Sequence, residues 1–222
     1  SQIGKALNAF ANENRQRLPC QLQDNYKQRH FQNADNTDVA VIFSCSLLKH
    51  EIGAAEILHS PCDPDRKAAN DNAARAWSTY TAGSPIPADA ISYVLTECAD
   101  VVRPTTILGV TRNINGSDLD GSRWIGHDEM AASSMAGLAK NEGQMVLADG
   151  SAFQSNDADF DSSPGSHVAL HKSATGGLTK GPACTALLDI AGGGGAVAAA
   201  GGANAGGGAV VKPQPQPAPA PK

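Results

Sequence analysis

The opening stretch, SQIGKALNAFANENRQRLP, narrows the choice of fold more than any other part of the chain. Ile3, Ala6, Leu7 and Phe10 recur at helical spacing, so one apolar stripe faces a core while Asn8, Asn12, Glu13 and Arg15 face away. Such a stripe needs a partner surface. The spacing predicts a helix over residues 3–18, with Pro19 ending it. No capping residue precedes the periodic run, so the stretch reads as the C-terminal half of a longer first helix. Ile3, Leu7 and Phe10 are its candidate assembly contacts.

The partner surface is predicted downstream. ISYVLTEC and TTILGVTR are rich in β-branched residues and read as two strands separated by a loop containing Arg103-Pro104. GQMVLADGSAFQS reads as a hairpin with Asp149-Gly150 at the turn. Glycine there supplies a positive φ, and the Asp149 carboxylate can bond the backbone two residues on. CTALL and HVALHKS are weaker strand candidates. DVAVIFSCSLL is an apolar run compatible with a strand or a buried helix, because periodicity alone does not separate the two. Ala54, Ala55, Ile57 and Leu58 favour a helical turn ending before Pro61. One leading helix followed by short antiparallel strands predicts an α+β domain over residues 1–188, with the helix packed on the sheet.

From residue 189 the character changes. A Gly/Ala-rich segment, 189–211, cannot bury enough side chain to offset its backbone entropy. Residues 212–222, KPQPQPAPAPK, alternate proline and predict an extended polyproline II tail. The expectation is that this tail bridges or decorates neighbouring copies.

Composition removes several functions. The net charge is −5 and no Lys/Arg run occurs, which argues against nucleic acid as a partner. No segment offers the ~20 apolar residues that cross a bilayer, so a membrane would be met only through a helix upstream of Ser1 during assembly. G-x-S-x-G, the P-loop and a strand-flanked GxGxxG are all missing. None of the five cysteines, at 20, 45, 62, 98 and 184, forms a CxxC pair. They permit two disulfides and a leftover thiol, an intermolecular bridge, or five reduced thiols. An enzyme is not expected.

The remaining candidates are polar. Asp157, Asp159 and Asp161 alternate in SNDADFDSS, the way calcium loops begin, but Ser162 and Val168 stand where an EF-hand needs Gly and Glu. The stretch is therefore a solvated acidic turn or an irregular calcium loop. Asp118 and Asp120 form a lesser set. Asn115 heads an Asn-Gly-Ser sequon and is a candidate glycosylation acceptor. His167 and His171 are four apart, but HVALHKS looks strand-like and no third ligand lies nearby, so both read as ordinary histidines.

Several stretches in order resemble bacterial type IV pilin-like proteins, specifically the pseudopilin-type subunits of planctomycete and verrucomicrobial bacteria. SQIGKALNAFANENRQRLP is similar to the end of their long first helix. SPCDPDR is similar to their CPSDP loop with Ser and Cys rearranged. ADVVRPTTILGVTRNI and NEGQMVLADGSAFQS resemble their central strand and ADGS hairpin. The resemblance implies a pilin fold, export, prepilin-peptidase processing and self-assembly into an extracellular or cell-surface filament. It also implies a hydrophobic half-helix upstream, which this stretch lacks. The His that often precedes the family's Asp-Gly is not in place, since Lys140 and Asn141 stand in that segment, and the C-terminal tail is outside the family's pattern. The competing expectation is a secreted, calcium-dependent module that binds glycan or a surface polymer.

Overall fold

The computed structural model describes residues 1–67, 77–127, 134–161, 163–175 and 184–188. The Gly/Ala-rich segment and the proline-rich tail, and with them any role of the tail in assembly, lie outside these. Helix α1 spans Gln2–Glu13 and buries Ile3, Gly4, Ala6, Leu7, Phe10 and Ala11, the stripe read from its spacing. It stops well short of Pro19. Arg15 (φ 58°) and Gln16 (φ 63°) adopt the left-handed conformation and turn the chain, with Gln16 N–H donating to the Ala11 carbonyl at 2.8 Å.

Helices α2 (Asp24–Phe31), α3 (Val39–Phe43) and α4 (Ser46–Ile52) follow, then a 3-10 turn at Ala55–Leu58. The ambiguous DVAVIFSCSLL run is thus helical. The Asp38 carboxylate caps α3 by accepting from Ala40 N–H, and all five residues of that helix are buried, so packing on every side outweighs the strand preference of Val and Ile.

The sheet is antiparallel throughout, in the order β4-β3-β2-β1-β5. Its strands are β1 (Tyr93–Thr96), β2 (Ile107–Thr111), β3 (Glu142–Leu147), β4 (Ala152–Asn156) and β5 (Leu187–Leu188). The first four form a meander, and β5 returns to pair with β1 at the far edge. Central β2 is buried at every position because both faces are covered.

Strand register sorts the two faces. Val146 pairs with Ala152 and lies under α1, where a side chain at Gly4 would meet the Val146 methyl at 2.8 Å. Gly4 therefore lets helix and hairpin close to contact, and Asn8 fastens them by donating to the Ala148 carbonyl at 2.8 Å. Met145–Phe153 and Gly143–Ser155 point to the opposite face. There Trp124 lies flat over Gly143, so close that any Cβ would overlap its ring. Helix α5 (His167–Thr175) covers this face, with the His167 and Phe153 rings 4.3 Å apart.

That helix replaces the strand expected for HVALHKS. Ser166 caps it, its Oγ accepting from Ala169 N–H at 3.2 Å, and the preceding Gly165 (φ 97°) makes the turn into it. The SPGS start signal was present in the sequence. Fully burying a side chain such as Phe10 or Phe43 contributes about 1.5–3 kcal/mol, and the large set of such residues between α1, α3, α4 and the sheet forms one continuous core.

Candidate functional site

Ile3, Leu7 and Phe10, the expected assembly contacts, are buried in this chain's own core at 5%, 2% and 0% exposure. They are committed to the sheet and to α4 and cannot also meet a neighbouring copy. The side of α1 that stays open carries Gln2, Lys5, Asn12 and Glu13.

Asp149-Gly150 makes the β3–β4 turn. Gly150 takes φ 85°, its N–H donates to the Leu147 carbonyl, and the Asp149 carboxylate accepts from both the N–H and the hydroxyl of Ser151. Those hydrogen bonds hold the exposed carboxyl below the usual carboxylate range. The tip then meets the start of α1, where the Ser1 nitrogen donates to the Gly150 carbonyl. This aspartate shapes a turn and the helix seat beneath it.

The acidic loop does not gather its carboxylates. Asp157–Phe160 is a 3-10 turn, and each aspartate serves a different partner. Asp157 accepts from Trp124 N–H at 2.8 Å. Asp159 accepts from Ser155 Oγ, Asn156 N–H and His167 Nδ1 at 2.7, 3.2 and 2.5 Å. Asp161 pairs with Arg123 at 3.1 Å. Burial works against the Asp159 charge, but the Ser155 and His167 hydrogen bonds outweigh it and lower its pKa. Calcium needs several oxygens on one point, and these oxygens are spent on backbone and side-chain donors. Asp120 and Asp118 are likewise engaged, by Lys172 and the Thr185 hydroxyl. Asn115 is exposed, with its Oδ1 accepting from Arg123 N–H.

Two polar centres escaped the sequence reading. In the SPCDPDR loop, Asp63 is 2% exposed and holds Arg112, itself 1% exposed, through Nε (2.6 Å) and Nη2, while Asp65 adds a contact at 3.1 Å. Burial disfavours the Arg112 charge, but the hydrogen bonds and charge of Asp63 more than offset it and raise its pKa. The loop is stitched to the sheet by Ser92 N–H donating to the Leu58 carbonyl and Ser60 N–H donating to the Ser92 hydroxyl.

The second centre is His171. It is fully buried, accepts from Ile107 N–H at Nδ1 (2.9 Å) and faces the Cys184 carbonyl with Nε2 (3.0 Å). An N–H donor at Nδ1 requires that nitrogen to be bare, so the ring is neutral with its proton on Nε2. Burial depresses its pKa. Beside it, Cys98 and Cys184 form a disulfide across 86 residues, which ties β5 to the end of β1. Cys20, Cys45 and Cys62 are free, and burial pushes the Cys20 thiol up to about 12. Among the described residues, the one group of metal-ligating side chains close enough to share an ion is Glu97, Cys98 and Cys184, whose sulfurs are already bonded to each other. Among those residues, too, no helix is long and apolar enough to cross a membrane. No protein-family model, curated protein or solved structure matches the chain.

Proposed function

We propose that this chain is a structural, non-enzymatic subunit that self-assembles into a pilin-like filament outside the cell. The observation that carries the reading is the seating of α1. An amphipathic helix at the start of the chain lies on an antiparallel sheet, with Gly4 against Val146 and Asn8 tied to the hairpin at Ala148. A helix held this way can project beyond the domain and stack with its counterparts. The Cys98–Cys184 disulfide suits an exported protein. Because Ile3, Leu7 and Phe10 are spent internally, the interface falls on the polar side of α1 and on the hairpin tip. The polar partners already held by Asp157, Asp159 and Asp161 weigh against calcium-dependent binding as the alternative.

The test is negative-stain electron microscopy of the full natural protein over a range of concentrations, paired with size-exclusion chromatography. Regular filaments that grow with concentration are expected. Uniform single particles at every concentration would overturn the reading.

A further inference from the structure

The turn that ends α1 builds something the filament reading does not use. Arg15 and Arg17 line a cleft of about 360 Å³ with Asn14, Leu22, Gln23, Asn25 and Tyr26. The Arg15 guanidinium lies over the Tyr26 ring, 5.1 Å from its centroid. Both arginines are exposed, and neither has a carboxylate partner among the described residues. Arg103, Arg112, Arg123 and Lys172, by contrast, pair with aspartates. In a chain of net charge −5, two unpaired guanidinium groups in one recess are a local reversal of sign.

The recess is also firmly built. Asn14, 1% exposed, forms its floor, donating to the Phe10 carbonyl and bonded through Oδ1 to His30 at 2.8 Å. Arg15 and Gln16 both hold positive φ without being glycine, a conformation that costs stability. In this turn the Arg15 guanidinium lies over Tyr26, and Arg17 lines the same cleft.

We infer that this cleft binds a carboxylated sugar, a uronic acid unit, free or within an acidic polysaccharide. A guanidinium meets a carboxylate through two parallel hydrogen bonds, and stacking on Tyr26 leaves the N–H edge of Arg15 open for them. The amide groups of Asn25 and Gln23 suit sugar hydroxyls, which both donate and accept. The volume falls in the range of small-ligand sites. Two arginines in one recess suit a single carboxylate better than the run of phosphates along a nucleic acid. The inference holds whether or not the chain polymerises.

Isothermal titration of the full protein with galacturonate, oligogalacturonate and a maltooligosaccharide of equal length tests it. Binding of galacturonate or its oligomer, but not the neutral sugar, is expected. If the oligomer alone binds, the ligand is the polysaccharide; if the monosaccharide binds equally well, a free sugar acid suffices. Arg15→Ala and Arg17→Ala should each weaken binding roughly tenfold or more, and Arg15→Lys should not restore it. Gln16→Gly removes the backbone cost without touching the cleft, so it should raise the melting temperature and leave affinity intact. No binding of either acid, equal binding of the neutral sugar, or arginine variants with unchanged affinity would each overturn the inference.

Discussion

Two aspartate-bearing loops each grip a nitrogen-bearing side chain by similar geometry and in opposite surroundings. Asp63 grips Arg112 in a site from which water is excluded, both side chains being essentially fully buried. Asp159 grips His167 at 2.5 Å with both partners still partly open to solvent. Distance alone would rank the two contacts as equals. The energetic difference lies in what is left behind when one partner goes. Removing Asp63 takes from a buried guanidinium its two closest hydrogen bonds and leaves it the half-exposed Asp65, whereas water can reach His167 once Asp159 is lost. Asp63→Ala is therefore expected to cost about 3–5 kcal/mol, measured by urea denaturation, enough to unfold a marginal domain. Replacing both partners by apolar residues, Asp63→Leu with Arg112→Met, should recover much of that loss. A single variant no worse than the double would break the comparison.

The same contrast explains what could be read from the sequence. The α1 stripe, the hairpin, its Asp-Gly turn and the β1 and β2 strands are local patterns, written in residues close along the chain. Ala55–Leu58 was legible for the same reason. The Asp63–Arg112 pair joins residues 49 positions apart, and nothing local to SPCDPDR says that its aspartate is buried or which arginine meets it. The acidic alternation at 157–161 was visible, but its partners Trp124, Arg123 and His167 come from distant segments. Local reading left α3 open between strand and buried helix, which burial on all sides decided, and it failed at α5, where a serine cap outweighed the strand-like residue types. The end of α1 was misplaced because two non-glycine residues took the left-handed turn, and Pro19 was credited with a stop that occurs earlier.

His171 sits between the two extremes, a single group sealed like Arg112 but neutral. Its folded pKa lies below the ordinary 6.5 because burial disfavours the charged ring, with the Cys184 carbonyl and the Asp118 charge opposing that shift. The unfolded chain then takes up its proton first as pH falls. The His171 contribution is present in full above 6.5 and is lost progressively as pH drops through the depressed folded value. Protonation would also set Nδ1–H against Ile107 N–H, loosening α5 from β2. Melting temperature should thus decline on acidification below neutrality, and His171→Gln should flatten that decline. A wild-type curve that is level from neutral to mildly acidic pH would count against a buried neutral ring.

The smallest effect belongs to the open loop. Asp159→Ala removes hydrogen bonds from Ser155, Asn156 and His167, yet solvent and neighbouring acceptors are within reach, so a loss of about 1–2 kcal/mol is expected. Because the folded pKa of Asp159 is lowered, that contribution is present above its ordinary 3.8 and disappears only as pH falls through the depressed value. The acid-induced losses at His171 and Asp159 should consequently separate along the pH axis. Calcium sharpens the contrast further. A preformed ion site would raise the melting temperature by mass action as the ion is added, whereas carboxylates already committed to Trp124, His167 and Arg123 should leave it unchanged in millimolar calcium and in chelator alike. A calcium-dependent rise, abolished by Asp159→Ala, would show that these contacts give way to an ion and that the loop is a site after all.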